Sequence, residues 1–549
     1  MRKKVLLILT PFIIAAYPVL YMLSANVELV DFSDIVLSLL FYQGVTLAIL
    51  LVLRKTFGNI ERTIFMTSVV VIIFFTYGHI FALIDAPWGH WLLIPLALMA
   101  VGLAVRVSSR KRIWLPEMIR SMGLAFGGLL LVAVGSVIYY GLTVNTAKGL
   151  TLDGALGVLG LSEIDLSVVD PEMLEYDIPF EIEDASALPD IYYIILDEYA
   201  NSNTLMQMHG FDNAPFLNAL RQRDFFVAED SRTNYPATFL SLASSLNMDY
   251  MNFLSGQDMD YRIVYHLIDH NRVSAILRNA GYQIVYFPSI YYVTNGMESA
   301  DITYRIEREV PLLGVEYSNF DLVLFNSTLV GSLLDGPEDY DIVDDYRETT
   351  LYALENLRLI PEIDGPTFTF AHLTVPHRPY VFTVDDVPAL TDDPAVDGRV
   401  VAEGTYAPYT DESNISAYLD QLNFVNRAIV DLVDDILAAS DNPPVIIIQS
   451  DHGHRMQGEP GVDDWGPAEI YEYVFPILNS YYLPGYDGAI QPDITPVNTF
   501  RLIFDHYFGT DLGLIEERSY YPEDYFSYNF LEVTDGNIRV VPPAPGVEE

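Results

Sequence analysis

Cysteine is absent from the 549 residues, so disulfides and thiolate chemistry are excluded. Positive charge is scarce: 29 Lys and Arg stand against 74 Asp and Glu, a formal net charge of −45. Lysine stops altogether at Lys148, and every cation beyond it is arginine. A chain this anionic is a poor partner for nucleic acid, whose phosphates need Lys and Arg. It is equally unsuited to broad adhesion on anionic lipid. Ionisable side chains are missing from the interiors of the longest apolar runs, where His79 is the one exception; Arg106 stands at the very end of its run. Transport through a helical bundle usually needs buried charge at that depth, so these runs read as an anchor or lipid platform. His79 itself reads as a packed polar residue near an interface.

What is present begins with five such runs, near Val5–Met22, Ile35–Leu53, Ile64–Ile84, Trp91–Val107 and Gly123–Tyr140. Each approaches the roughly 20 residues a spanning helix needs. Arg2, Lys3 and Lys4 precede the first run. Arg54, Lys55 and Arg62 follow the second, and Arg106, Arg110, Lys111, Arg112 and Arg120 follow the fourth. The other two connections carry Glu28, Asp31, Asp34 and Asp85 without a cation. The positive-inside rule then puts the N-terminus in the cytoplasm and everything beyond the fifth run outside. A cleaved signal peptide ending near Ser24-Ala25 is the competing reading of the first run, and the alternating charges of five spans weigh against it.

The expected organisation is a transmembrane domain over 1–144, a linker over 145–188, a catalytic domain over 189–540 and a Pro-rich disordered tail over 541–549. In the soluble part, Asp190–Leu196, Tyr282–Phe287, Thr367–Leu373, Val445–Gln449 and Phe475–Tyr482 read as strands. Helical patterns cover Asn213–Arg223, Val273–Ala280, Ile415–Ala438 and Pro496–Tyr507. Alternating strands and helices predict a mostly parallel sheet sandwiched by helices. Asp301–Asp345 and Asp385–Asp411 read as irregular insertions over the site.

Three predicted strands end in polar groups of ligand type: Asp197-Glu198 after the first, His372 and His377-Arg378 at the third, and Asp451-His452-Gly453-His454 after the fourth. Strand ends on one edge of a parallel sheet converge in space. Carboxylate with imidazole suits Zn or Mn. The stretch from Asn234 to Ser245 adds Thr238, which opens a helix with Pro236 in its first turn. A helix start favours a phosphate or sulfate, and a divalent metal can turn a threonine hydroxyl into a nucleophile. Taken singly, each group has a plainer explanation: Thr238 or Asp451 as a helix cap, His372 as a core histidine.

These pieces resemble the alkaline phosphatase/sulfatase superfamily: Leu196-Asp197-Glu198, Thr238-Phe239-Leu240-Ser241, His377-Arg378-Pro379-Tyr380 and Ser450-Asp451-His452-Gly453. Within it, five spans ahead of the soluble domain resemble the membrane branch of lipoteichoic acid synthases and phosphoethanolamine transferases. The resemblance implies that Glu198, Thr238, Asp451 and His452 ligate one divalent metal, with Asp197 in the same shell or, with His372, at a second ion. It implies substrate contacts from His377, with His372, Arg378 and His454 as further candidates. The reaction it implies moves a phospho-alcohol group from a lipid phosphodiester to an acceptor through Thr238, in a membrane-embedded monomer. The chain departs from sulfatases in lacking a Cys-x-Pro or Ser-x-Pro near 238, and from phosphoethanolamine transferases in lacking cysteine pairs. A phosphodiesterase, a sulfatase-type hydrolase and a catalytically silent envelope scaffold are the alternatives.

Overall fold

A computed structural model describes residues 2–25, 32–84, 88–110, 112–144, 166–169, 188–257, 260–306, 309–310, 315–316, 319–333, 342–386, 412–455, 465–523, 528–534 and 537–544. Most of the predicted linker and of the 385–411 insertion lies outside these residues. The chain divides into two compact units: one of 1–163 with 307–340, the other of 164–306 with 341–549.

The first unit contains helices α1 (Arg2–Ala25), α2 (Phe32–Phe57), α3 (Ile60–Ile84), α4 (Gly89–Arg110) and α5 (Leu115–Val144). All five are long and apolar enough to cross a bilayer. Several of their hydroxyl side chains are satisfied locally: Thr63, Thr67 and Ser68 donate to carbonyls four residues earlier at 2.8, 2.9 and 2.9 Å. His79 is not packed as expected; it lies on the exposed face of α3. The 301–345 stretch also departs from the irregular loop expected over the site. Its residues 319–333 form two short helices, Asn319–Asn326 and Leu329–Leu333, that belong to the helical unit. Their apolar side chains find burial there: Leu324 packs with Ile14, Val19, Val71 and Phe75 of the spans.

The second unit is built on a seven-stranded sheet. Its strands are β1 (Ile191–Leu196), β2 (Phe226–Val227), β3 (Gln283–Phe287), β4 (Ile302–Thr303), β7 (Thr367–Leu373), β8 (Val445–Gln449) and β9 (Asn479–Tyr482). The two-residue strands β5 (Glu309–Val310) and β6 (Val315–Glu316) pair with each other in the first unit. The sheet order is β2-β9-β8-β1-β7-β3-β4. β1 runs parallel to β7 and β8, β3 parallel to β7 and β4, and β9 alone runs against the rest, antiparallel to both its neighbours β8 and β2. The sheet is therefore mostly parallel, as the alternation of elements requires. Sequence patterning missed the three-stranded antiparallel sheet of β10 (Tyr520–Pro522), β11 (Phe530–Glu532) and β12 (Arg539–Val540), whose strands are too short to show a period. At the tail, Val541 N–H donates to Phe530 O at 2.9 Å and Ala544 N–H to Ser255 O at 2.7 Å.

Period-two alternation sends successive residues of each strand to opposite cores. Ile191, Tyr193 and Ile195 pack with Phe368, Phe370, Val445 and Ile447 against the helix Thr238–Asn247. Tyr192, Ile194 and Leu196 pack with Ile446, Ile448 and the helix Glu412–Ala439 on the other face. Both faces of β1 are covered, which is why its sequence is a continuous apolar run.

After β7 the chain is fastened by a buried ion pair. Arg347 Nη2 meets Asp386 Oδ1 at 2.8 Å, with side chains 9% and 0% exposed. The guanidinium also donates to Val381 O at 3.2 Å and lies over the Phe382 ring. Asp386 Oδ2 in turn accepts from the Thr383 hydroxyl at 3.0 Å. Removing one partner strands a buried charge, so Asp386→Ala is expected to cost about 3–5 kcal/mol. Denaturant unfolding of the purified protein measures it; a loss below about 1 kcal/mol would contradict the pairing.

Candidate active site

The alternation that builds one core also builds the site at its upper end. Asp197 continues the series 191, 193, 195; His372 continues 368, 370; Asp451 continues 445, 447, 449. The parallel registers Ile195↔His372 and Ile195↔Gln449 bring the three chains level. Oxygen and nitrogen atoms of Asp197, His372 and Asp451, all buried, lie within 4.8 Å of one another. The helix Thr238–Asn247 begins beside them.

Two carboxylates so close and so buried need compensation. Asp197 Oδ1, His372 Nε2 and Asp451 Oδ2 have no hydrogen-bond partner. His372 Nε2 stands 3.5 Å from Asp197 Oδ2, and His452 Nε2 stands 3.8 Å from Asp197 Oδ1 and 3.5 Å from Asp451 Oδ2. The backbone carbonyl of Gly453, which can only accept, takes the proton of His452 Nδ1 at 2.9 Å. Nε2 of the neutral ring is thus a lone pair turned toward carboxylate oxygens. Lone pairs facing lone pairs are tolerated when a cation sits among them, and carboxylate with imidazole is the donor set of divalent metals. Asp197, His372, Asp451 and His452 therefore fit such an ion. The other Asp451 oxygen, Oδ1, accepts from His452 N–H at 2.8 Å and Glu198 N–H at 3.3 Å.

Burial raises Asp197, but its imidazole neighbours, His377 first and then His372, outweigh it and hold the carboxyl below its usual range. Burial and the Asp197 charge push Asp451 up. Burial would lower His377, yet Glu198 and Asp197 raise it above the ordinary histidine value.

Thr238 is the first residue of its helix. The N-cap is Ala237, which offers no side-chain cap, and Pro236 lies one residue further out rather than in the first turn. Thr238 is therefore not the cap, and its Oγ1 lies 3.4 Å from His452 Nε2. The uncapped N–H groups and the helix dipole make this end favourable for an anion. Thr233 and Ser241 hold the site from behind, donating to Asp451 O at 2.6 and 2.8 Å.

Glu198 sits at φ 62°, a left-handed conformation that costs a non-glycine residue about 1 kcal/mol. The Tyr418 hydroxyl braces it by donating to Glu198 O at 3.0 Å. Its carboxylate accepts from Arg455 N–H at 3.4 Å and is held below the ordinary glutamate value, burial being outweighed by His377, His454 and His452. Glu198 thus stands beside the Asp197/His372/Asp451 group rather than within it. His377 lies on the loop after β7, where Gln421 fixes the backbone by donating to Pro376 O and His377 O at 3.1 and 2.8 Å. Arg378 is half-buried on the same loop.

His454 stacks on Tyr418, ring centroids 4.0 Å apart, and faces His209 at 5.6 Å. Tyr418 and Gln421 escaped the sequence reading because they lie within an ordinary helical pattern, and His209 because nothing local signals its partner. Burial drives His454 down to about 4. Its neutral form is favoured in the folded chain, so the unfolded chain gains a proton first as pH falls from 6.5 toward 4. Stability is lost across that window, on the order of 3 kcal/mol from this ring. A His454→Gln variant should lose less melting temperature than the wild type between pH 6.5 and 4; parallel curves would contradict the assignment.

The family profile described as Sulfatase matches residues 189–493. No curated protein matches the chain. Among solved structures, the chain is similar to the C-terminal periplasmic domain of EptC from Escherichia coli, with 14% identity over 65% of this chain and 97% of that one, TM-score 0.41. It is similar to a putative sulfatase from Bacteroides thetaiotaomicron, with 11% identity over 64% and 84%, TM-score 0.40. It is also similar to the soluble domain of lipooligosaccharide phosphoethanolamine transferase A from Neisseria meningitidis, with 13% identity over 60% and 90%, TM-score 0.35. The profile covers more than half of the chain and includes every side chain of the cluster described above: the chain belongs to the sulfatase family, within the alkaline phosphatase superfamily.

Proposed function

We propose that this enzyme of the sulfatase fold is a phosphotransferase. It uses Thr238 to move a phospho-alcohol group from a lipid phosphodiester to an acceptor alcohol, on the outer side of the membrane. The observation that carries the reading is the position of the Thr238 hydroxyl. It lies at an uncapped helix start, 3.4 Å from His452 Nε2 and above two buried carboxylates.

Asp197, Asp451, His452 and His372 would hold one Zn or Mn ion, with Glu198 and Thr238 completing its surroundings; bound there, it would supply Lewis acidity that makes the threonine hydroxyl nucleophilic at neutral pH. The remaining steps fall to the chain itself. The helix start orients the phosphodiester anion. Thr238 Oγ1, its proton already shed to solvent so that it enters and leaves the cycle as the alkoxide, bonds to phosphorus in line with the leaving oxygen, whose bond to phosphorus breaks. His377, which Glu198 and Asp197 raise above the ordinary histidine value, in its protonated form neutralises the developing charge and gives its proton to the leaving alkoxide. The acceptor alcohol returns a proton to His377 as its oxygen displaces Thr238. Threonine in place of a Cys-x-Pro or Ser-x-Pro motif favours phosphoryl over sulfuryl transfer. The five spans favour a lipid donor, and the charge pattern of their connections favours an extracytoplasmic site.

The test uses the full chain in nanodiscs containing phosphodiester lipids. Quenched turnover followed by peptide mass spectrometry is expected to find the phospho-alcohol adduct on Thr238. Thr238→Ala should lose it together with roughly a thousand-fold or more of the turnover. Full turnover in that variant would remove the nucleophile. Run in ¹⁸O-water with an acceptor alcohol, transfer leaves the product phosphate unlabelled, whereas ¹⁸O incorporation would make the enzyme a hydrolase.

A further inference from the structure

The helices Asn319–Asn326 and Leu329–Leu333 carry one charge, Asp321, in an otherwise apolar and polar-uncharged stretch. Fifteen residues are too few to span a bilayer as a helix and fit an interfacial or re-entrant segment. Their placement on the spans is specific. The Ser38 hydroxyl of α2 donates to Asp321. Ser327 O accepts from Gly78 N–H of α3 at 3.2 Å. A Cβ at Gly78 would lie 2.5 Å from that same oxygen, so glycine is what admits the contact.

Both contacts lie at one level. Ser38 is three residues inside the apolar span Ile35–Phe57, and Gly78 three residues inside Ile60–Phe81. At 1.5 Å per residue each is about 5 Å below the span end. Consecutive spans run in opposite directions, so these two ends share a side. Counting five crossings, it is the side on which the chain leaves α5.

The turn between the two helices is also equipped for a water-poor place. Ser327 Oγ donates to Leu324 O at 2.7 Å and Thr328 Oγ1 to Phe325 O at 2.6 Å. Ser332 Oγ donates to Asn326 O at 3.1 Å and to Thr328 O at 2.9 Å. Gly331 N–H donates to Thr328 Oγ1 at 3.1 Å. The backbone carbonyls of Leu324, Phe325, Asn326 and Thr328 are given internal donors, as irregular backbone at membrane depth requires, while the buried side-chain oxygen of Asn326 has none. On the outer side of the segment, Val330 and Leu333 are 38% and 42% exposed.

We infer that residues 319–333 form a re-entrant hairpin inserted in the outer leaflet, with Val330 and Leu333 against lipid acyl chains. Because the chain enters and leaves it from the catalytic unit, this hairpin gives that unit a second tether to the bilayer, independent of the link after α5.

The absence of cysteine makes the test direct. Val330→Cys and Leu333→Cys, each labelled with bimane in the full chain, are reconstituted in vesicles beside two controls: Leu98→Cys on the exposed face of α4 and Asp487→Cys on the exposed surface of the catalytic unit. Both hairpin labels should lose emission to acyl-brominated lipid as Leu98→Cys does and resist aqueous iodide. Iodide quenching equal to that of Asp487→Cys would overturn the insertion. Protection from both quenchers would overturn it too, since protein rather than lipid would then cover these residues.

Discussion

Everything in the site depends on one electrostatic constraint. Asp197 and Asp451 are placed side by side, almost without solvent, by the parallel register of β1 and β8. Neither Asp197 Oδ1 nor Asp451 Oδ2 has a donor, and the two nearest imidazoles turn Nε2 toward them. Two carboxylates in low dielectric cannot both stay ionised without a strong positive neighbour. A divalent cation would resolve the conflict and account for the polar atoms that have no partner within the protein. The same cation would draw on the Thr238 oxygen at the helix start, so electrostatic necessity and reactivity share a cause.

The supporting shell follows the same logic. Thr233 and Ser241 hold the Asp451 backbone, Gly453 fixes the His452 tautomer, and Tyr418 braces Glu198 in its left-handed conformation. Gly453 has its own reason to be glycine: a Cβ there would lie 2.6 Å from Val474 O. These groups lie outside the cluster, yet each fixes the orientation of a residue in it or beside it.

Much of this was legible in the sequence, and the reason is local. β8 opens on a run of four β-branched apolar residues and β7 alternates Thr with Phe, both strand-forming patterns, and the sequence reading gives both with the bounds observed. Asp197, His372 and Asp451 were found because polar residues at the ends of buried strands have nothing apolar to solvate them. Period two then explains how they come to one face, which the strand pattern alone did not reveal. Tyr418 and Gln421 were not legible, because their partners are Glu198, Pro376 and His377, contacts fixed only when the helix Glu412–Ala439 packs on the sheet. The hairpin at 319–333 was misread for a related reason: its burial comes from spans hundreds of residues away, so a locally irregular, apolar stretch resembled a loop.

The central claim is that a divalent cation holds these strand ends together. Crystals of the protein, measured on both sides of the Zn and Mn absorption edges, test it most directly. The account predicts an anomalous-difference peak among Asp197, His372, Asp451 and His452, next to the Thr238 hydroxyl. Ordered water or a bare ion pair in that position, with no anomalous signal at either edge after growth in Zn and Mn, would contradict it.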